Sequence, residues 1–314
     1  MKRTPATADT ADDRARVGLA FGLLAYLFWG ILPIYFKQLA AVSALDIVAH
    51  RIIWSLVFLG LLLAVTGGWK QVRTGIKDRR TVVLLLTTSV LIAANWLLYV
   101  FAVTSGHILA GSLGYYLNPL MNIVLGRLIL KERLTNLQWA AVAIAGAGVT
   151  VLAAGAGTTL WISLTLCVTF STYGLLRKVA AVDAVAGLSI ETAILFPVAL
   201  AWLVFAAADG GRVLGSSQSE TWLLVLSGIV STTPLLLFTS AARRLRYSTL
   251  GMLQFAAPTL QFLLAVVIYD EEFTQAHAIA FASIWSALAL YVTSLVRDFR
   301  AQRSAAQATD LSEC

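Results

Sequence analysis

The sequence predicts an all-α polytopic membrane protein, with ten transmembrane helices arranged as two inverted five-helix repeats. Three observations lead to this prediction: an apolar composition, the spacing of long apolar stretches, and an internal repeat. Hydrophobic residues make up 59% of the 314 residues and charged residues only 12%, and the mean hydropathy is +0.82. Because soluble domains carry about 25% charged residues, this composition indicates a membrane protein.

Apolar stretches of about 20 residues recur along the chain, and each is long enough to cross about 30 Å of hydrocarbon as a helix. They lie at 17–36, 45–66, 81–102, 107–128, 137–153, 158–177, 187–208, 221–241, 248–269 and 276–296. We expect the first to be a retained helix rather than a cleaved signal, because its apolar region is too long and further stretches follow it.

The basic residues predict how these helices are oriented. Most of the 23 Lys and Arg residues fall in the terminal tails or in loops on the same side as the tails, whereas Lys37 and Arg212 fall on the opposite side. Because basic residues accumulate on the cytoplasmic side of a membrane, both termini are expected in the cytoplasm. The pI near 9.6 therefore reflects topology, and we expect no nucleic-acid partner.

The two halves of the chain align with each other. A constant offset without gaps pairs Tyr99 with Phe238, Ala102 with Ala241, Tyr116 with Phe255, Pro119 with Pro258, Glu132 with Glu271 and Thr135 with Thr274. A weaker match of Trp29-Gly30 with Tyr173-Gly174, and of Asp46 with Glu191, extends the repeat to five helices in each half. Because five is odd, the second repeat starts on the opposite side of the membrane.

This repeat predicts the domain organisation. We expect a cytoplasmic N-terminal tail at 1–16, a first repeat at 17–153, a second, inverted repeat at 158–296 and a cytoplasmic C-terminal tail at 297–314. The loop Lys131-Glu132-Arg133 should then be cytoplasmic, whereas its counterpart Asp270-Glu271-Glu272 should face outward. The change from basic to acidic residues between the two loops agrees with the rule that basic residues stay inside.

Arg51 and His50 are the first candidate functional residues, because both lie inside the second apolar stretch. An Arg at the centre of a membrane helix costs about 2.5 to 3.5 kcal/mol, so it normally faces a water-filled cavity or a partner. Arg51 either lines a cavity and attracts anionic groups, or it pairs structurally with Asp46 or with backbone carbonyls. His50 points about 100° away, and it either sits in a helix interface or takes up a proton during function.

A second group of candidates consists of uncharged polar residues in the apolar stretches: Asn95, Tyr115, Asn118, Asn122, Gln254 and Gln261. Lipid cannot satisfy a carboxamide, so each should face the interior of the bundle. These side chains either contact a substrate or bond neighbouring helices together. Pro119 and Pro258 occupy corresponding positions in the two repeats, where each removes a backbone donor and kinks its helix.

Glu191 and Asp46 correspond in the repeat, near the starts of the seventh and second stretches. Each either stabilises a helix N-terminus by about 0.3 to 1 kcal/mol or exchanges a proton during function. Trp29 and Tyr173 correspond in the same way, and we expect their rings to offer an aromatic surface to a substrate.

Motifs for catalysis and cofactor binding are missing from the sequence, which has no P-loop, no HExxH and no nucleophile elbow. The two cysteines, Cys167 and Cys314, provide neither a disulfide framework nor a metal cluster. We therefore expect no catalytic residue, no metal and no cofactor. Gly146, Gly148 and Gly155 suit close helix packing or a homodimer contact.

A series of motifs runs through the chain: Trp29-Gly30, Tyr35-Phe36-Lys37, His50-Arg51, Trp54-Ser55, Asn95-Trp96-Leu97-Leu98, Gly114-Tyr115, Asn118-Pro119-Leu120, Tyr173-Gly174-Leu175, Arg177-Lys178, Glu191-Thr192, Pro234-Leu235-Leu236, Arg244-Leu245-Arg246, Ser248-Thr249-Leu250-Gly251 and Pro258-Thr259-Leu260. Together they resemble the RarD family of EamA-domain proteins, in the drug/metabolite transporter superfamily, over roughly residues 17–296. The resemblance implies ten helices, cytoplasmic termini, a bacterial-type inner membrane and transport of small metabolites or drugs. Members of the family are often labelled chloramphenicol-sensitivity proteins.

The expected function is secondary transport of a small organic solute by alternating access between the two halves. The first, third, fourth, sixth, eighth and ninth stretches, together with Arg51, should line the cavity. One alternative is an intramembrane enzyme acting on a lipid, which would need a nucleophile, a metal cluster or a base. The other is a passive pore, which usually carries rings of charge. The expected partners are a small-molecule substrate and membrane lipid.

Overall fold

The computed structural model describes residues 6–39, 41–104, 108–154, 160–210, 214–268 and 275–312, and all regular structure within them is helical. The helices are α1 (Ala6–Lys37), α2 (Ala44–Thr66), α3 (Trp69–Lys77), α4 (Arg79–Thr104), α5 (Ile108–Leu128), α6 (Asn136–Ala153), α7 (Leu160–Val179), α8 (Ala184–Ala208), α9 (Gln218–Ala242), α10 (Tyr247–Gln254), α11 (Ala256–Ile268) and α12 (Gln275–Ser312). The predicted all-α class is confirmed. Four predictions concern residues outside the described ranges: Gly155, Arg212, the loop Asp270-Glu271-Glu272 and Cys314.

Each predicted apolar stretch coincides with one helix, except that the ninth is divided between α10 and α11. The division has a local cause, because Pro258 has no N–H to donate to the carbonyl of Gln254, where α10 ends. The helix α5 continues through Pro119 without a break. At the two ends of the chain, α1 begins at Ala6 and α12 runs to Ser312, so both helices extend into the predicted tails.

The outer surface of the bundle is apolar. Six helices of the described part are long and apolar enough to cross a membrane, over Asp13–Lys37, Ala44–Thr66, Arg79–Tyr99, Leu160–Val179, Ala184–Ala208 and Gln218–Ala242. Two shorter apolar helices cover Asn136–Val151 and Ala278–Ser294. Many large apolar side chains are exposed, including Val65 at 87% and Val198 at 71%. Such extensive apolar exposure is rare in soluble proteins and indicates a surface that faces lipid.

The short helix α3 is absent from the prediction, which treated its residues as a loop. Arg73 and Lys77 are exposed on it, whereas Val72 and Gly75 are buried. The buried face packs against α8, where a Cβ atom at Gly75 would lie 3.3 Å from Ile190. The basic residues Arg73 and Lys77 are thus on the face that the rest of the bundle leaves exposed.

Small residues allow helices that are distant in sequence to approach closely. Gly228 of α9 lies directly against the backbone of Trp54 in α2, and a Cβ atom at Gly148 of α6 would lie 2.6 Å from Ser283 of α12. The predicted packing role of Gly148 is thus observed, whereas a Cβ atom at Gly146 would have no neighbour within 4 Å. The contact between α2 and α9 is the one that positions the site described next.

Candidate functional site

Arg51 lies in α2, and its guanidinium is held by residues of three other helices. Its Nε donates a hydrogen bond of 2.7 Å to the hydroxyl of Ser231 in α9. The guanidinium carbon lies 4.7 Å from the ring centroid of Trp96 in α4 and 5.4 Å from that of Phe36 in α1. Such cation–π contacts are worth about 0.5 to 2 kcal/mol. Among the described residues no carboxylate pairs with Arg51, so the predicted alternative of an ion pair with Asp46 is not observed.

Glu191 of α8 is buried and has polar partners on α4 and α7. The hydroxyl of Thr88 donates a hydrogen bond to one carboxylate oxygen, and the hydroxyl of Tyr173 donates to the other at 3.3 Å. Arg177 forms an ion pair with Glu191, with 3.6 Å between Nε and Oε1 and side-chain exposures of 0% and 2%. Charges buried this deeply require a partner and hydrogen bonds, and here each charge neutralises the other.

Arg177 corrects one detail of the charge pattern. That pattern counts Arg177, at the end of the sixth stretch, among the basic residues on the cytoplasmic side, whereas the structure buries it completely. Its Nη2 donates to the backbone oxygens of Asp183 and Ala184, each at 3.3 Å, and the guanidinium lies against Gly187. Tyr173 and Arg177 are four residues apart and share one face of α7. This helical spacing is the sequence signal that could have predicted that Arg177 lies at the same site as Tyr173.

A small cavity lies between the Arg51 group and the Glu191 group. It is lined by Ile52, Ser55, Ile92, Trp96, Tyr173, Leu188, Glu191, Thr192, Leu195, Ser231, Thr232 and Leu235, which belong to α2, α4, α7, α8 and α9. The participation of α8 is not predicted from the sequence. The cavity volume of about 20 Å³ is room for about one water molecule. An organic solute therefore fits only after the helices move apart.

Two of the predicted carboxamide positions bond helices together. Asn95 donates from Nδ2 to the backbone oxygen of Leu166 at 3.0 Å and to the hydroxyl of Thr169 at 2.9 Å, which ties α4 to α7. Asn122 donates from Nδ2 to Oε1 of Gln254 at 2.8 Å, which ties α5 to α10. These contacts agree with the structural alternative that the sequence left open.

Asn118 is in a different situation. It is completely buried, and neither its Oδ1 nor its Nδ2 has a hydrogen-bond partner. The Oδ1 of Asn122, one helical turn later, has no partner either. A buried polar group without a partner costs about 1 to 3 kcal/mol, so a ligand or a water molecule bound here would be favourable. This face of α5 is the strongest carboxamide candidate for a binding surface.

Trp29 and Tyr115 belong to one aromatic cluster around Phe170 of α7. The centroid of Phe170 lies 5.7 Å from that of Trp29 and 6.5 Å from that of Tyr115, and Tyr115 lies 5.4 Å from Tyr99. Gln261 donates from Nε2 to the backbone oxygen of Trp29 at 2.9 Å, which positions α11 against α1. The predicted aromatic residues Trp29 and Tyr115 thus belong to one cluster, and Gln261 bonds to the backbone of Trp29.

Asp46 and His50 lie on α2 near Arg51. The indole Nε1 of Trp202 in α8 donates to Oδ1 of Asp46 at 2.9 Å, and His50 is 3% exposed. Asp46 therefore has a neutral partner, whereas its repeat counterpart Glu191 has a cationic one. Of the two carboxylates considered for proton exchange, that of Glu191 is buried and has three polar partners, whereas Asp46 is partly exposed.

The residues that sequence reasoning did not assign to the site are Thr88, Arg177 and Ser231. Thr88 and Ser231 are single hydroxyl residues in apolar helices, where Ser and Thr commonly bond to their own backbone. Nothing in their local sequence separates them from other residues of that kind. Their roles follow from the residues that face them.

Comparisons with known proteins agree with this architecture. Residues 16–154 match the EamA-like transporter family. A crystal structure of a protein that is 24% identical superposes with a TM-score of 0.70, over 89% of this chain and 98% of that chain, and so shows the same fold.

Relatives extend the match over nearly the whole chain. An uncharacterized transporter of Vibrio cholerae is 44% identical over 95% of this chain and 99% of its own. Protein RarD of Escherichia coli is 45% identical, over 90% and 96% respectively. The chloramphenicol-sensitive protein RarD of Pseudomonas aeruginosa is 31% identical, over 87% and 92%.

A helical bundle with an apolar outer surface and buried polar groups between its helices, together with these matches, defines a membrane transporter of the EamA-like class. Within that class, the chain belongs to the RarD family.

Proposed function

We propose that the protein is a secondary transporter that moves a small organic solute by alternating access between two inverted five-helix repeats. The observation that carries this proposal is the small cavity between Arg51 and Glu191, which lies between polar groups contributed by both halves of the chain. A cavity near the middle of the bundle that is closed by packed helices and lined in part by polar residues is consistent with an occluded state of such a cycle.

The pattern of helix contacts supports the repeat. In the proposed correspondence, α1 matches α7, α2 matches α8, α4 matches α9, α5 matches α10 with α11, and α6 matches α12. Exchanging the halves turns the contact of α1 with α9 into the contact of α7 with α4. In the same way, the contact of α1 with α11 becomes that of α7 with α5, and the contact of α2 with α9 becomes that of α8 with α4. All six of these contacts are present in the structure. The contacts of α2 with α8, α5 with α10, and α6 with α12 map onto themselves.

When each contact has a counterpart after the halves are exchanged, the pattern is the one expected of two units related by a pseudo-two-fold axis. We propose that the units are residues 17–153 and 158–296, with tails at 1–16 and 297–314. Because each unit would cross the membrane five times, the second is inverted. The location proposed for the protein is a bacterial-type inner membrane with both termini in the cytoplasm, as the basic residues predict.

The proposed substrate path combines the predicted residues with those that the structure adds. Arg51 would attract anionic groups, Asn118 and Asn122 would offer the unpaired carboxamide atoms described above, and Glu191 is the preferred candidate for proton exchange. The remaining members of the proposed path are Trp29, Asn95, Tyr115, Tyr173, Gln254 and Gln261, with Asp46 and His50 as further proton-exchange candidates.

Solute flux in proteoliposomes tests this proposal. The purified protein is first screened by thermal shift against metabolites and antibiotics, and each stabilising solute is then followed in loaded vesicles at two pH values. We expect faster flux than in protein-free vesicles, and a marked loss in Arg51→Ala and Asn118→Ala.

Matched controls are Arg80→Ala and Asn136→Ala, which remove the same residue types from exposed positions and should leave flux unchanged. If no solute of the panel crosses protein-containing vesicles faster than protein-free ones, the transport proposal fails. If flux is normal in both site variants, the assignment of the site fails.

A further inference from the structure

We propose that the substrate of this site is an organic anion that carries a single carboxylate-type group on an apolar or aromatic body and has no cationic group. This inference rests on the proposed transport function and adds the chemical class of the solute. The juxtaposition that carries it is Arg51, bonded to Ser231 and in cation–π contact with Phe36 and Trp96, with no carboxylate beside it in the described part of the chain.

The free donors of Arg51 define the recognised group. Only Nε is bonded to the protein, through Ser231, which leaves both terminal nitrogens of the guanidinium without a hydrogen bond to any described residue. The guanidinium carbon lies over the rings of Phe36 and Trp96, at 5.4 Å and 4.7 Å from their centroids. The two terminal nitrogens can present parallel N–H groups, which match the two oxygens of a carboxylate.

The balance of charges defines the sign of the ligand. Glu191, which lines the cavity together with the Arg51 partners Trp96 and Ser231, is already neutralised by Arg177, with 3.6 Å between Nε and Oε1. Asp46 accepts a hydrogen bond from Trp202 and forms no ion pair with Arg51. Among the described residues, Arg51 therefore has no carboxylate within ion-pair distance, and a partly buried charge of this kind is stabilised by an anionic ligand.

The same balance disfavours a zwitterion or a cation. An ammonium group bound beside Arg51 would need a carboxylate next to it, and neither nearby candidate provides one: Glu191 is paired with Arg177, and Asp46 bonds to the indole of Trp202 in α8 rather than to Arg51. A ligand with an ammonium group would bring a second positive charge to a site that already holds an unpaired one. The site thus selects against amino groups by charge repulsion.

The surroundings of Arg51 define the rest of the ligand. Trp96 and Tyr99 are three residues apart on one face of α4. The ring centroid of Tyr115 lies 5.4 Å from that of Tyr99 and 6.5 Å from that of Phe170. This row of rings starts beside the guanidinium, passes through the exposed Tyr99 and ends at the buried Phe170. An apolar or aromatic body extending from the bound carboxylate would stack on it.

Binding to the purified protein in lipid nanodiscs tests the inference, read by intrinsic tryptophan fluorescence. The probes share one aromatic body and differ in charge: 3-phenylpropanoate and 3-phenylpropane-1-sulfonate as anions, 3-phenylpropanamide as the neutral analogue, phenylalanine as the zwitterion and 3-phenylpropylamine as the cation. We expect the two anions to bind about tenfold or more tightly than the other three, as charge-assisted bidentate hydrogen bonds imply.

Three variants connect this preference to the guanidinium. Arg51→Gln should remove the preference for anions, whereas Ser231→Ala keeps the charge and should weaken binding of the anions without removing the preference. The control Arg80→Gln changes an exposed Arg and should behave as the native protein. Thermal unfolding of each variant establishes that it is folded.

Two results would overturn the inference: binding of the amine, the zwitterion or the amide as tight as that of the anions, or a preference for anions that persists in Arg51→Gln. The sulfonate also serves as a flux probe, because it stays charged and does not leak through lipid as the protonated carboxylate does. Flux of a cationic or neutral solute with none of the sulfonate would leave transport standing and refute the anion class. Absence of flux for every solute would instead refute the proposed function.

Discussion

The buried ion pair of Glu191 with Arg177 offers a direct test of the energetics of the bundle. Replacing Glu191 by Gln keeps the size of the side chain and leaves one acceptor oxygen in place of the two carboxylate oxygens that accept from Thr88 and Tyr173. It removes the negative charge that lies 3.6 Å from the guanidinium of Arg177. Because that guanidinium is 0% exposed, it cannot exchange its lost partner for water without a rearrangement of α7 and α8.

The expected loss of unfolding free energy follows from the groups that each variant leaves unpaired. Removing one partner of a buried ion pair costs about 3 to 5 kcal/mol, so Glu191→Gln should lower the free energy of unfolding by about that amount. In the double variant Arg177→Met/Glu191→Gln no charge is left, and the main loss is the two hydrogen bonds from Arg177 to the backbone of Asp183 and Ala184. At about 1 kcal/mol for each hydrogen bond, the double variant should lose only about 2 kcal/mol.

A third variant, Gly187→Ala, tests how closely the backbone of α8 packs against the ion pair. A methyl group at Gly187 would overlap the guanidinium of Arg177, whereas one at Gly60 would have no neighbour within 4 Å. Gly187→Ala should therefore destabilise the protein by about 1 to 3 kcal/mol. Gly60→Ala, as the matched control, should be neutral or slightly stabilising, because Ala favours the helix.

The assay is reversible unfolding of the purified protein in mixed micelles, titrated with SDS and followed by tryptophan fluorescence. Each variant gives a free energy of unfolding relative to the native protein, and the single variants Glu191→Gln and Arg177→Met form a double-mutant cycle with the double variant. The reasoning would be refuted by additive losses in the cycle, or by a loss below about 1 kcal/mol for Glu191→Gln.

Two further predictions concern helix ends. The carboxylate of Glu132 accepts hydrogen bonds from the N–H groups of Tyr247 at 2.6 Å and Ser248 at 3.0 Å, at the start of α10. Glu132→Ala should therefore cost about 0.5 to 2 kcal/mol in the same SDS titration, and an unchanged midpoint would exclude a capping role. The pKa of Asp78 is lowered, chiefly because the hydroxyl of Thr81 donates to its carboxylate at 2.5 Å. This stabilisation is complete above the unfolded pKa and is lost as pH falls through the lowered folded pKa. The melting temperature of Asp78→Asn should therefore approach the native value in acid, and a gap that does not change with pH would contradict the cap.

The helices themselves were predictable because their signals are local. Apolar stretches of sufficient length form helices in a membrane whatever lies elsewhere in the chain, and the break between α10 and α11 follows from Pro258. The helix α3 was missed because its sequence is short and basic, and its buried face depends on contacts with α8. The burial of Arg177 was missed for a related reason, since counting charges does not reveal which of them the bundle encloses.

The sequence alone determined the all-α class, the apolar stretches, the aligned halves and the presence of polar residues that lipid cannot satisfy. Only the tertiary structure decided which partners those residues have. Ser231 is 180 residues from Arg51, and Glu191 meets Thr88 across helices that are separated by much of the chain. The physical reason is that burial forces a charge to find a partner but does not specify which one. The choice is made by the packing of helices, at close contacts such as that of Gly228 with Trp54.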